Sequence, residues 1–406
     1  MASATSASNY LSTMQTTPTA ERVHIALLGR CNSGKSTLLN ALTAQQSAIV
    51  SPIAGTTTDP VRKAIEINGL GAALLIDTPG LDDSSTLGEE RVSRTAKVLD
   101  QTDIAIILFT DAGYDIEQQI IEECRVREIT TIAVLAQADR IADVEALRRD
   151  IESHINIPLI AISAETGEGL ATLKERLGTL RATDQRLITE GFCAAGDSVL
   201  LVMPQDKSAP KGRLIQPQVQ TIRELLDRGC TITCCTPDGM AAALSALKRS
   251  PELIITDSQA FEQVYSLKPA DSTLTSFSIL FARYKGDIEL FTEGVKALKN
   301  ITATSRILIA EACTHTPQNE DIGRVKLPRL LRKRFGEELQ IDIVGGAEYP
   351  DDLTPYDLVI HCGACMFNRR HVLSRVERAR KQGVAITNYG VILAALGGIL
   401  DRVRIK

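Results

Sequence analysis

At 406 residues the chain is longer than one ordinary hydrophobic core supports, so two or three domains are expected. Hydrophobic residues at 44% and charged residues at 23% are the proportions of a water-soluble globular protein; no run approaches the roughly 20 apolar residues of a spanning helix, so a cytoplasmic location and no membrane role are expected. A formal net charge of -5 argues against a nucleic-acid partner, and nine cysteines, an odd number, point to thiols or metal-bound thiolates rather than a disulfide framework.

Residues 1–20 are rich in Ser, Thr and Ala, carry no Lys or Arg, and read as a flexible tail. From Val23 the pattern is strand, Gly-rich turn, helix, and further buried strands are expected at Ala72–Ile76, Ile104–Phe109, Thr131–Leu135 and Leu159–Ile162. This alternation implies a mostly parallel sheet covered on both faces over residues 21–182. A second, smaller α/β series follows over 187–270, with strands at Ser198–Met203, Cys230–Cys235 and Leu253–Thr256 around a helix near Gln218–Arg228. A third, over 275–406, has strands at Arg306–Ala310, Gln340–Val344, Leu358–His361 and Val384–Asn388 and a helix at Arg369–Gln382. The fold class expected is therefore α/β: a P-loop domain followed by two smaller α/β domains.

Gly29-Arg-Cys-Asn-Ser-Gly34-Lys35-Ser36 fits G-x-x-x-x-G-K-[ST] between a strand and a helix. In such a loop Gly29, Ser33, Gly34 and Thr37 present backbone amides or side chains to phosphates. Lys35 reaches the outer phosphates, and Ser36 offers a hydroxyl to Mg2+. Asp77-Thr-Pro-Gly80 ends an apolar strand, which sets Asp77 as the carboxylate near the magnesium. With Gly55-Thr-Thr57 between the two motifs, the set resembles the translation-factor-like GTPases. That resemblance implies GTP as substrate and Thr57, with Thr56 as the alternative, as the switch threonine on Mg2+. Where those enzymes carry Asn-Lys-x-Asp, this chain has Ala136-Gln-Ala-Asp139, and Ser163-Ala164 resembles their last base-binding loop. Leu81 stands where a water-orienting glutamine is often found. Asn32 matches the position that, in GTPases similar to MnmE, helps hold K+ beside the phosphates; the resemblance implies a slow, monovalent-cation-activated hydrolysis.

Cys313-Thr-His315 and His361-Cys362-Gly-Ala-Cys365 each follow a predicted strand, so the two segments are expected to converge at one sheet edge. Soft thiolates select zinc, copper(I) or iron-sulfur clusters, and the residues alone leave these open. Basic stretches at Arg324–Arg334 and Arg369–Lys381 read as solvated helix faces. With 45 residues between its two halves, the pattern C-x-H, H-C-x-x-C resembles that of the FeFe-hydrogenase maturation GTPases, the HydF family. Lys211–Asp227 resembles that family's dimerisation segment, and Thr387-Asn-Tyr-Gly390 its C-terminal segment. The resemblance implies a homodimer holding a 4Fe-4S cluster on Cys313, Cys362 and Cys365, with His315 or His361 as a further ligand. It also implies loading by radical SAM maturases and delivery of a di-iron precursor to apo FeFe-hydrogenase. The competing expectation is an RNA-modification or ribosome-assembly GTPase with a structural zinc domain.

Overall fold

The structure is a computed structural model describing residues 17–44, 52–53, 61–81, 95–111, 113–180, 186–204, 214–311, 322–346 and 348–406. The chain divides into two compact units, Met1–Asp184 and Gln185–Lys406.

The first unit is built on seven strands: β1 (Val23–Gly29), β2 (Pro52–Ile53), β3 (Val61–Ile67), β4 (Gly71–Asp77), β5 (Ile104–Phe109), β6 (Thr130–Leu135) and β7 (Leu159–Ala161). Their order is β2-β3-β4-β1-β5-β6-β7. Strands β4, β1, β5, β6 and β7 run parallel, while β2, β3 and β4 pair antiparallel. The central strands are apolar throughout because both faces are covered. Ile25, Leu27, Ile106 and Leu108 enter one core, and Ala26, Leu28, Ile107 and Phe109 the other. The antiparallel wing is an addition to the parallel sheet expected from the sequence.

Two four-stranded parallel sheets make up the second unit. The first contains β8 (Ser198–Val202), β9 (Thr231–Cys235), β10 (Leu253–Thr256) and β11 (Thr273–Ser276) in the order β11-β10-β8-β9. Its fourth strand, β11, lies past residue 270, where the sequence reading ended the middle segment. The second sheet contains β12 (Arg306–Ala310), β13 (Gln340–Val344), β14 (Leu358–His361) and β15 (Ile386–Asn388) in the order β13-β12-β14-β15.

One continuous core joins these sheets, running from Leu200 and Ile254 through Ile279 and Phe291 to Ile309, Ile360 and Ile392. Burying each such side chain contributes about 1.5–3 kcal/mol, so the two sheets stabilise one another. The helix Phe277–Lys285 has six of its nine residues buried, with Ile279 and Ala282 in this core and Phe277, Leu280 and Phe281 in a second one around Val199, Leu201 and Leu225, and Ser276 caps it by accepting from the Ile279 amide at 3.2 Å. Close packing here requires small residues: a Cβ on Gly294 would fall 1.9 Å from the Ile386 carbonyl oxygen. Among the described residues no helix is long and apolar enough to cross a membrane.

Thr387-Asn-Tyr-Gly390 is a set of structural contacts. Thr387 donates to the Phe291 carbonyl at 2.8 Å, and Asn388 caps the helix Tyr389–Leu396 by accepting from Gly390 N at 2.8 Å. Tyr389 reaches Glu311 at 3.5 Å, and a Cβ on Gly390 would meet Ser278 Cβ at 2.7 Å.

Candidate nucleotide site and cysteine loop

Because β1, β4, β6 and β7 are parallel, Gly29, Asp77, Leu135 and Ala161 end on the same edge of the sheet, where open α/β sheets bind ligands. The loop after β1 turns sharply into the helix Lys35–Ala44, with Asn32 (φ 59°) and Gly34 (φ 88°) in the left-handed region. Lys35 folds over this loop and donates to the carbonyls of Gly29 at 2.9 Å and Arg30 at 2.6 Å. Arg30 in turn pairs with the buried Glu117 at 3.1 Å, which fastens the loop to the helix Asp115–Val126.

Asp77 and Ser36 are joined by a 2.5 Å hydrogen bond from Ser36 Oγ to Asp77 Oδ2. The other carboxylate oxygen, Asp77 Oδ1, and the hydroxyl of Ser33 are buried without a partner among the described residues. Leaving a buried polar atom unsatisfied costs about 1–3 kcal/mol, so both mark places where a ligand or hydrated cation belongs. Gly80 packs directly on the phosphate loop: a Cβ there would come within 2.1 Å of Cys31 Sγ and 2.8 Å of its backbone. The Leu81 amide donates to Gly29 O at 3.1 Å, and its side chain is buried, so this position is part of the scaffold.

A cleft of about 320 Å³ opens beside the loop, with Asn32, Lys35, Thr37, Gln137, Asp139 and Ala164 among its lining residues. Ser163 is fully buried, and its hydroxyl accepts from the Thr166 amide at 3.2 Å, shaping the loop that presents Ala164. Gln137, left-handed at φ 56°, sends its side-chain amide across the cleft to the Asn32 carbonyl at 2.7 Å. In sequence this residue is only a departure from Asn-Lys-x-Asp; its role as a tie between two nucleotide loops follows from the fold. Ala136 beside it is buried and has no side chain to offer a purine. Ala136→Asn is expected to tighten GTP binding by about 1 kcal/mol, roughly fivefold. Isothermal titration checks this, and an unchanged or weaker affinity counts against a base seated at this position. Thr56 and Thr57 lie outside the described residues.

At the second candidate site β12 and β14 lie side by side, with Ala310 opposite His361 and the Cys362 amide donating to the Ala310 carbonyl at 3.0 Å. The half-buried Cys362 and Cys365 follow the end of β14. Cys313 and His315 lie outside the described residues, three and five positions past the end of β12. Among the described residues no three His, Cys, Asp or Glu side chains gather as a metal-holding group.

His361, expected with His315 as a possible further ligand, has both ring nitrogens engaged in this structure. Its ring is fully buried, Nδ1 lies 2.8 Å from the Cys362 carbonyl and Nε2 lies 3.3 Å from Arg375 Nη1. Guanidinium only donates, so Nε2 accepts and Nδ1 carries the proton given to Cys362 O. Burial first, and then the Arg375 charge, push its pKa down to about 3, so the imidazole is neutral with both nitrogens engaged. Arg375 lies between the rings of Tyr349 and Phe367, each 4.8 Å away, and donates to Gly346 O.

The loop, its cation-ready carboxylate and the seven-stranded sheet define the first unit as a P-loop GTPase domain. Residues 24–137 match the family model described as 50S ribosome-binding GTPase. Over 183 residues the chain is 33% identical to the tRNA modification GTPase MnmE of Paraburkholderia xenovorans, covering 45% of this chain and 37% of that protein. The MnmE of Chromobacterium violaceum is 35% identical over 159 residues, 39% of this chain and 34% of that one. The chain thus spans little more than a third of these relatives. The solved G domain of the T. maritima FeoB iron transporter shares 29% identity, covers 38% of this chain and 96% of that one, and has a TM-score of 0.29. Beyond the GTPase domain, residues 188–286 match the Hydrogen maturase F dimerization domain and residues 289–405 the Hydrogen maturase F tetramerization domain. The chain belongs to the hydrogen maturase F family, the FeFe-hydrogenase maturation GTPases.

Proposed function

We propose that this chain is a GTP-hydrolysing scaffold that holds a 4Fe-4S cluster and carries a di-iron precursor to apo FeFe-hydrogenase. The observation that supports this reading most is a half-buried Cys-x-x-Cys loop in the same chain as a nucleotide site with two orphaned polar atoms, Ser33 Oγ in the phosphate loop and Asp77 Oδ1 at the end of β4. Gly29, Ser33, Gly34, Lys35 and Thr37 hold the phosphates, while Ser36, Asp77 and Thr57 serve Mg2+. Asp139, with Ser163 and Ala164, faces the base. A potassium ion held with the help of Asn32 supplies the positive charge that an arginine finger would otherwise give, making hydrolysis faster in potassium than in sodium salts.

Two soft thiolates three positions apart suit an iron-sulfur cluster, with Cys313 as the third donor and His315 as a remaining candidate. Such a cluster, when bound, supplies an iron open to an outside ligand. This chain's residues provide the cradle: the Ala364 amide points at Cys362 Sγ from 3.4 Å. Radical SAM maturases load the precursor onto a homodimer or its tetramer, and the nucleotide state gates the exchange of partners. Equal partner affinity with GTP, GDP and no nucleotide counts against that gating.

Anaerobic reconstitution with iron and sulfide, followed by metal analysis and electron paramagnetic resonance, tests the cluster assignment. A cluster signal from the reduced protein is expected. One equivalent of zinc and no iron signal favours instead a structural metal domain on an RNA-directed GTPase, a reading the match to MnmE supports only for the first unit.

A further inference from the structure

The Cys362–Cys365 loop has an unusual support. Lys285, the last residue of the helix Phe277–Lys285, is 3% exposed, and its ammonium donates to the carbonyls of Ala364 at 3.0 Å and Phe367 at 2.8 Å. One of these carbonyls lies between the two cysteines and the other just after them. Ala364 is itself left-handed at φ 51°, a conformation that costs a non-glycine residue about 1–2 kcal/mol and persists only where the surroundings impose it. The imposing contacts are its amide against Cys362 Sγ and its carbonyl on Lys285, which also accepts the Phe367 amide at 3.2 Å.

A second cation reciprocates. Arg369, opening the helix Arg369–Lys381 just past the loop, donates to the carbonyls of Tyr284 at 3.4 Å and Gly286 at 3.2 Å, which flank Lys285. The helix end and the loop are thus held by crossed hydrogen bonds between positions 79 to 85 residues apart in sequence. A lysine used only to complement a helix terminus would satisfy its own last carbonyls. This one reaches out of its helix to the cysteine segment.

We propose that Lys285 is the positioning residue of the cysteine loop. Its ammonium imposes the turn at Ala364 and sets how Cys362 and Cys365 face one another. The helix matched to the dimerization domain therefore shapes the ligand set of the following domain. This inference rests on the cluster reading for its iron arm and on the loop alone for its thiol arm.

The test compares full-length wild type with Lys285→Met, Lys285→Gln and Lys285→Arg. In apo-protein, iodoacetamide labelling of Cys362 and Cys365, followed by peptide mass spectrometry, is expected to run several-fold faster in Lys285→Met. After anaerobic reconstitution that variant is expected to retain iron about tenfold more weakly, the scale seen when an outer partner of a metal ligand is removed. Its reduced cluster is expected to give altered paramagnetic resonance g-values. Lys285→Arg, which keeps the charge and both donors, should move all three readouts back towards wild type. Lys285→Gln carries the comparison if the methionine variant does not fold. Labelling and iron retention indistinguishable from wild type overturn the proposal. If wild type itself holds no iron, the cluster reading falls while the labelling comparison still decides the role of Lys285.

Discussion

Lys35→Ala is expected to lower GTP hydrolysis by about 10²–10³-fold, the loss typical of deleting one preorganised group that stabilises developing charge. Lys35 is 6% exposed and its ammonium lies on the carbonyls of Gly29 and Arg30, within the turn that the left-handed Asn32 and Gly34 create. It is therefore held at the phosphate loop before any nucleotide arrives. Its removal takes away the charge and one of the donors to each of two loop carbonyls. Lys35→Arg should not restore activity, because a planar guanidinium does not replace a point charge on a flexible stem at this tight turn. Hydrolysis measured by phosphate release, with circular dichroism as the control for folding, checks the expectation. A variant within threefold of wild type would remove the phosphate loop from the chemistry.

Legibility in the sequence follows how local each feature is. The phosphate loop can be read because its glycines, lysine and serine stand on one short turn between a strand and a helix. The strands β1, β5 and β6 are equally plain, since burial on both faces makes them uninterrupted apolar runs. The wing strand β3 reads VRKAIEI, half exposed, so its own pattern is broken by polar residues, and the local mark of its pairing with β4 is the Asn68-Gly69 reversal that follows it. Buried on nearly every side, the helices Phe277–Lys285 and Tyr389–Leu396 offer no amphipathic period to detect.

The site residues divide in the same way. His361 sits beside a cysteine at a strand end, which is what a ligand looks like in sequence; its partner Arg375 is 14 positions on and becomes visible only when a helix packs over β14. Lys285 at the end of an apolar helix looks like an ordinary helix-terminal cation, and its two acceptors lie 79 and 82 residues away. Gln137 reads as a lost lysine, yet its bond to Asn32 spans 105 residues and closes the nucleotide cleft. In each case the missing information is a tertiary partner rather than a residue preference.

Cys362→Ser and Cys365→Ser, made singly, are each expected to reduce stably bound iron after anaerobic reconstitution to a small fraction of wild type. A serine hydroxyl stays protonated near neutral pH and is a hard donor, so it does not replace a thiolate on iron. Both sulfurs are half-buried next to a loop that is already fixed. The Cys362 amide is tied to Ala310, Ala364 is tied to Lys285, and Asn368 caps the following helix by accepting from His371 N at 3.2 Å. The exchanges should therefore leave the surrounding structure folded and GTP hydrolysis in the first unit intact, which separates loss of ligand from loss of fold. His361→Gln gives the opposite contrast: with both nitrogens committed to Cys362 O and Arg375, its removal should lower thermal stability by about 1–3 kcal/mol. Any iron loss there should follow that unfolding. Iron content by mass spectrometry and thermal unfolding by calorimetry distinguish the two patterns. Full iron occupancy in both serine variants would sink the assignment of these sulfurs to a metal.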